Sequence, residues 1–382
     1  MTALPEKPSL EKPPTLADLG RILGLSKRAV SQALNERQGT VKVSAATRER
    51  IQSLAKQMGY RPNFAAASLT TGRTGQFGIL TPISRMHVHA IRLASAVDAF
   101  AKLGISPIVV YSGAKSEEAQ DSTLLALIGG RIDGILLLNR QAHFSEAHVS
   151  ELRRFGTAVV QVGSTLASLD TFHYLTDRTQ AFGLVFDHLI EQGFRRIGAM
   201  VGNQTGSSGS NQRSIAGTQT RMAILEAANM IRNRGVDISL QIHDLDPDAV
   251  VSNDPHPLYS AGYYCMRKLI DDQQVPEVLV CQVDSWAFGA MRACAEAGIR
   301  IPHDMAITGY GNEPVCSATY HPLTSIDEPF DSMCDAAVQE IVHSVRENRP
   351  IEVRSVVMPC QLIVRQSSLR PEMNSQQVES QA

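Results

Sequence analysis

The spacing of apolar residues changes character near Gln76 and divides the chain into two kinds of structure. Upstream, Thr15-Leu16-Ala17-Asp18 has the form of a capping box, a hydroxyl at the N-cap with an acid three residues on. Leu16, Leu19 and Leu23 recur at helical spacing until Gly24-Leu25 interrupts them. Ser26 is placed to cap a second helix from Lys27 to about Leu34, with Ala29, Val30, Ala33 and Leu34 on its inner face. Lys27, Arg28, Ser31 and Gln32 are left on the outer face. A third helix fits 44–58, with Ile51, Leu54 and Met58 inward and Gly59 just past its end. A short helix, a glycine turn and a second helix that is small and apolar inside, polar and basic outside, is the layout of a helix-turn-helix. The plainer alternative is a small helical bundle with solvated charges.

Downstream, short apolar runs at 77–80, 105–110, 134–138, 158–162, 197–201, 278–281 and 305–309 read as strands. Amphipathic stretches at 90–103, 117–128, 180–192, 214–229, 261–271 and 286–297 separate them. Near-continuous apolar strands alternating with helices predict parallel sheets covered on both faces, here two doubly wound sheets. Ligands are then expected outside the carboxyl ends of the strands.

Charge sharpens the division. Up to Gly75 there are twelve Lys and Arg against five Asp and Glu, a net of +7, whereas the remainder carries 24 against 33, a net of −9. A basic head on an acidic body predicts that the head alone meets a polyanion. The six cysteines (Cys265, Cys281, Cys294, Cys316, Cys334, Cys360) form no CxxC pair and read as reduced core thiols of a cytoplasmic protein. No run approaches the ~18 apolar residues of a membrane helix. Nor does any stretch hold a nucleophile elbow, a metal cluster, or a dinucleotide GxGxxG after a strand, so neither an enzyme, a cofactor nor a metal is expected. The glycine-rich run 202–210 lacks the Gly-Lys-Ser/Thr of a P-loop and reads as a mobile loop beside the crevice.

The head resembles that of the lactose-repressor (LacI/GalR) family. The likeness is carried in order by Thr15 to Leu19, Leu25-Ser26, Ala29-Val30-Ser31, Ala33-Leu34-Asn35, Val43-Ser44, Thr47-Arg48, Gly59 to Asn63 and Ser68-Leu69. It continues through Gly130 to Ile135, His188 to Ile197, Ala287 to Arg292, Pro322 to Ile326 and Arg365-Gln366-Ser367. The resemblance implies a three-helix helix-turn-helix head with a hinge helix, then a periplasmic-binding-protein-like clamshell of two doubly wound parallel-sheet lobes. The expected organisation is a disordered arm (1–13), the DNA-binding domain (14–61), the hinge helix and linker (62–74), an effector-binding and dimerisation core (75–369) and a disordered tail (370–382). The chain would cross between the lobes near Thr176, Cys316 and Asn348.

The same resemblance places Lys27, Arg28 and Gln32 at base edges in the major groove of an operator, and Ser26, Ser31 and Asn35 at bases or phosphates. Thr15, Ser44, Thr47 and Asn63 join this DNA-binding set. Ala66 allows close approach in the hinge, and Leu69 is the minor-groove wedge. Gln32 replaces the family's usual Arg, which removes the expected guanine contact, and Ala67 replaces an Arg before Ser68-Leu69. In the crevice the implied effector contacts are His89, Arg213 (with Arg221 the runner-up), Asp284, Trp286 and Asn312. Val283 and Gly311 stand where the family has Asn and Asp, which tilts the crevice toward a less cationic ligand. The implied function is a homodimeric repressor on a near-palindromic operator, responsive to a sugar, sugar acid or related metabolite. The competing reading is a clamshell sugar receptor with no DNA role.

Overall fold

The structure, a computed structural model, describes residues 14–34, 43–60, 73–82, 87–112, 122, 127, 132–138, 145–163, 170–202, 215–245 and 257–370. They fall into two compact units divided between Gly75 and Gln76. The arm, the hinge, the tail, Asn35, Asn63, Ala66, Leu69, Arg213, the run 203–210 and most of 117–128 lie outside the described residues.

The first unit holds α1 (Leu16–Leu23), α2 (Lys27–Leu34) and α3 (Ala45–Gln57). Capping sets all three starts. Asp18 N donates to Thr15 Oγ1 at 3.3 Å while Thr15 N donates to Asp18 Oδ2 at 3.0 Å, closing the capping box. Ser26 Oγ accepts from Ala29 N at 3.2 Å, and Ser44 Oγ accepts from Thr47 N at 3.2 Å. Gly24 ends α1 at φ +66°, which turns the chain so that Leu25 N reaches Gly20 O at 2.9 Å. A Cβ on Gly20 would lie 2.6 Å from Leu25 O, so the turn folds tightly only over glycine. Leu19, Val30, Ala33, Ile51 and Ala55 form the buried centre, and Leu16, Leu23, Leu25, Leu34, Leu54 and Met58 close around it.

The second unit contains two six-stranded sheets of the same order. In the first lobe β1 (Phe77–Pro82), β2 (Ile108–Ser112), β3 (Gly134–Leu138), β4 (Ala158–Val162), β5 (Phe172–Thr176) and β11 (Ser355–Met358) lie in the order 2-1-3-4-5-11, all parallel. In the second, β6 (Arg196–Gly202), β7 (Ser239–Leu245), β8 (Val278–Cys281), β9 (Ala306–Tyr310), β10 (Thr324–Asp327) and β12 (Gln361–Ile363) lie in the order 7-6-8-9-10-12, with only β12 antiparallel. Helices α4 (His87–Ala101), α5 (Glu146–Arg154) and α10 (Phe330–Glu347) accompany the first sheet. Helices α6 (Arg178–Glu191), α7 (Ile215–Asn233), α8 (Pro257–Asp271) and α9 (Asp284–Glu296) accompany the second. Each sheet is buried on both faces, as the unbroken burial of β3, β8 and β9 shows. All six cysteines are free, five of them buried.

The crossings between lobes differ from two of the three expectations. The first joins β5 to α6 just past Thr176, as expected. The second is at Glu328-Pro329, not Cys316, because 324–327 pair with β9 and keep the chain in the second lobe until Asp327. The third is at Pro359-Cys360, not Asn348. Asn348 only caps α10 at φ +54°, and the chain then runs into β11 beside β5 before returning.

The head has few apolar groups with which to absorb a cavity. Ile51→Ala is expected to cost about 2–5 kcal/mol. Amide hydrogen exchange across 16–57 in the full chain would show this as faster exchange in all three helices together; exchange changed in α3 alone would contradict a shared core.

Candidate functional site

On the head, Lys27 and Arg28 are exposed in the first turn of α2, Ser31 and Gln32 are half-buried one turn on, and Ala29, Val30 and Ala33 are buried beneath them. The inward small residues let α2 sit close to α1 and α3, so its polar side is what the head presents. Thr15, Ser26 and Ser44 are exposed at helix starts, where unpaired backbone N–H groups and the positive end of the helix dipole favour an anion. Thr47 Oγ1 lies 2.8 Å from Ser44 Oγ. The face offers fork-shaped, ammonium and amide groups together, the types that pair with guanine O6/N7 and adenine N6/N7.

In the second unit the strand ends that face the crevice are Gly202, Leu245, Cys281, Tyr310 and Asp327 in one lobe and Pro82, Leu138, Val162 and Thr176 in the other. Gly311 takes φ +121°; a Cβ built there would lie 3.5 Å from Asp284 Oδ2 and 4.0 Å from Val88 Cγ2, so the start of α4 faces the end of β9 across the lobes. His89, next to Val88, has its Nδ1 buried without a partner among the described residues. Burial, and then the charge of Arg92, push its pKa down to about 4, so the ring is neutral at pH 7.

Trp286 sits in the first turn of α9, 3% exposed, packed with Met200, Leu245 and Cys281. Its ring edge comes within 3.5 Å of where a Cβ on Gly202 would lie, and its indole N–H is buried without a partner among the described residues. Asp284 is wholly buried: Oδ1 accepts from Ser325 Oγ at 2.6 Å and Oδ2 from Glu313 N at 2.8 Å. Burial raises its pKa although these bonds oppose the rise. Asn312, at φ +46°, donates Nδ2 to Asp327 Oδ1 at 3.1 Å and accepts from Arg365 Nη2 at 2.7 Å. Thus Asp284 and Asn312 brace the ends of β9 and β10, and His89 and Trp286 each keep a buried polar atom without a partner among the described residues. Arg221, on α7, pairs with Asp244 near the end of β7.

Sequence reasoning missed the group at the centre of the crossings. Glu328 pairs with Arg92, and its Oε1 accepts from Thr176 Oγ1 at 3.0 Å and Tyr310 Oη at 2.9 Å. Burial would raise its pKa; Arg92, Arg178 and the two hydroxyls outweigh that and hold it below the ordinary range, so it is ionised. In Asp327-Glu328-Pro329 the sequence shows only an acid in a loop, with no periodicity to mark it.

A capped helix-turn-helix head and two doubly wound lobes in one chain define a class of transcriptional regulators that carry a sensing core. Residues 186–368 match the family described as periplasmic binding protein-like domain. The chain is 22% identical to catabolite control protein A of Priestia megaterium over 93% of its own length and 99% of that protein's. It is 24% identical to the ribose operon repressor of Escherichia coli K12 over 87% of this chain and 93% of that one. Among solved structures, the lac repressor dimer bound to operator and the anti-inducer ONPF superposes with a TM-score of 0.70 at 19% identity, covering 94% of this chain and all of that one. The regulator CelR in complex with cellobiose gives 0.61 at 22% identity, over 93% of this chain and 99% of that one. Over nearly its whole length the chain is thus similar to transcriptional regulators of the lactose-repressor type.

The buried, neutral His89 has a consequence for pH. Its folded pKa of about 4 lies below the ordinary histidine value of 6.5, so the unfolded chain binds more protons between those values. Its contribution is complete above pH 6.5 and lost as pH falls toward 4. For a partly buried group this is on the order of 3 kcal/mol before solvent screening is discounted. Denaturant titrations of the full chain at pH 7 and pH 5 should show His89→Gln losing less stability on acidification than the parent; equal losses would remove His89 from the account.

Proposed function

We propose that two copies of the chain read the halves of a near-palindromic operator, each with α2 in the major groove, and that a small molecule in the interlobe crevice shifts operator affinity. The observation that carries this is the outward Lys27, Arg28, Ser31 and Gln32 on a helix whose other side is the head's core, in a chain whose remainder is a two-lobed core. Lys27, Arg28 and Gln32 take base edges, Ser26, Ser31 and Asn35 bases or phosphates, and Thr15, Ser44 and Thr47 the backbone at helix starts. Asn63, Ala66 and Leu69 belong to a hinge that folds against the minor groove, since seven residues hold no helix alone in water. In this reading the chain works on DNA in the cytoplasm and is not an enzyme.

For the effector, His89, Trp286 and Arg213 make the polar contacts, and Asp284 and Asn312 hold the floor they work from. A neutral imidazole, an indole N–H and an arginine, with Gly311 where an acid is usual, suit a ligand rich in acceptor oxygens: a sugar, or better a sugar acid. The relatives named for ribose and seen with cellobiose support a carbohydrate-like class. A sugar receptor without a DNA role leaves the basic, capped head unexplained.

A homodimer needs an apolar face. On the second lobe Tyr259, Phe288, Met291, Val315 and Tyr320 line a groove of about 740 Å³, with Tyr320 92% exposed. A second copy covers this groove in our reading.

Two measurements test the function. With 6–10 phosphates neutralised, affinity for a duplex selected by the chain from a random pool should fall by about 10³–10⁵ between 50 and 200 mM salt; a flat profile would falsify DNA reading by the head. Tyr320→Asp should turn the dimer into a monomer in sedimentation and weaken binding to the full palindrome more than to a half-site. A dimer that survives this change must use another face.

A further inference from the structure

One buried carboxylate gathers donors from both lobes. Glu328 lies on the connection from β10 to α10, with its side chain 7% exposed. Oε2 meets Arg92 of α4 in the first lobe, itself 14% exposed and held with its guanidinium 4.8 Å from the centre of the Phe330 ring. Oε1 accepts from Thr176, the last residue of β5 in the first lobe, at 3.0 Å, and from Tyr310, the last residue of β9 in the second, at 2.9 Å. Tyr310 is fixed in turn: Phe182 stacks on its ring at 5.7 Å, and the Arg178 guanidinium lies 5.2 Å from the ring centre. Gln180 ties the third crossing to α6, donating to Cys360 O at 3.2 Å and accepting from Cys360 N at 3.0 Å.

These donors have little freedom to follow the carboxylate. Hydrogen bonds of this kind hold over a few tenths of an ångström and weaken steeply with angle. Rotating the second lobe about the crossings moves Tyr310 Oη relative to the Arg92 guanidinium, and one carboxylate keeps both only over a narrow range of angles. Outside that range a charge stays buried with its partners withdrawn, which is disfavoured.

We propose that Glu328 is a positioning residue that sets the angle between the lobes by holding donors from both at once. The core then rests at one setting, and a ligand that favours another angle must supply enough differential affinity to strip these donors. Glu328 therefore sets the threshold of the response without touching the ligand. The inference concerns the core alone, and a failure of the effector reading would leave it standing.

The interlobe distance tests it directly. Spin labels are placed on the full chain at Ala147→Cys on α5 and Met230→Cys on α7, both exposed, with the partly exposed Cys265 replaced by serine. Labelled chain is diluted with unlabelled chain so that pulsed electron paramagnetic resonance reads distances within one chain. The parent should give one narrow distribution. Glu328→Gln, and the milder Tyr310→Phe, which keeps the stacked ring and deletes only the second lobe's donor, should each widen it about twofold or shift its maximum. Arg300→Ala, which breaks an exposed ion pair with Asp304 within the second lobe, should leave it unchanged. The inference is overturned if the Glu328→Gln and Tyr310→Phe distributions superpose on the parent's. It is equally overturned if Ile341→Ala, which weakens the first lobe's core without touching Glu328, widens the distribution as much at equal loss of thermal stability.

Discussion

An ionised carboxylate buried between two lobes constrains everything that packs near it, because removing one of its partners costs about 3–5 kcal/mol. Glu328 sets that demand where the chain passes from the second lobe to the first. Arg92, Thr176 and Tyr310 answer it from three different elements, and Arg178 adds a second positive charge nearby. The elements that supply these groups are themselves fixed by apolar packing: α4 and α10 share one core with β1, β3 and β4, and Tyr310 belongs to the core beneath α6 and α7. The crossings are thus a place where polar satisfaction and hydrophobic packing specify the same arrangement.

The floor of the second lobe shows the same economy of groups. Ser325 links Asp284 to the backbone of Asn312, and Arg365 links Asn312 to Leu323 O at 2.7 Å. Ser367 then accepts from Thr324 N at 2.9 Å and donates to Ile307 O at 2.7 Å, which pins the last described segment across β9 and β10. Gly309 is needed because a Cβ there would collide with the Asp284 carboxylate. None of these bonds needs a side chain at Gly311, so the floor is braced independently of that position.

In the head the division of labour is between faces of one helix. The three small buried residues of α2 allow close packing on α1 and α3, while Lys27 and Arg28 are exposed and Ser31 and Gln32 half-buried on its other side. A net charge of +7 over the first 75 residues, set against an acidic remainder, favours the approach of a polyanion to the head by long-range attraction.

The parts legible in the sequence were those encoded by neighbours in the chain. Capping at Thr15 and Ser26, the turn at Gly24, the apolar strands β1, β2, β3, β4, β6, β8 and β9 and the helices between several of them follow from local spacing and composition, and the structure shows them within a few residues of their expected bounds. Strands β5, β7, β10, β11 and β12 lie outside the apolar runs of the sequence. They are edge strands, or short, or only partly buried, so no continuous apolar run marks them, as the partial exposure along β7 and β11 shows. Helices α5 and α10 were passed over as well, and two crossings were misplaced, because a crossing depends on which sheet edge is open rather than on the residues that make the turn. The same limit applies to side-chain roles. Resemblance could name Asp284 and Asn312 as crevice residues, but only the fold shows that their polar atoms are bound to Ser325, Glu313, Asp327 and Arg365. Glu328 carries no local signal, since its partners lie 236, 152 and 18 residues away in the chain. Local sequence determined the pieces and the kind of protein; the pairing of distant charges, which has energy only after burial removes water, was decided by the tertiary structure.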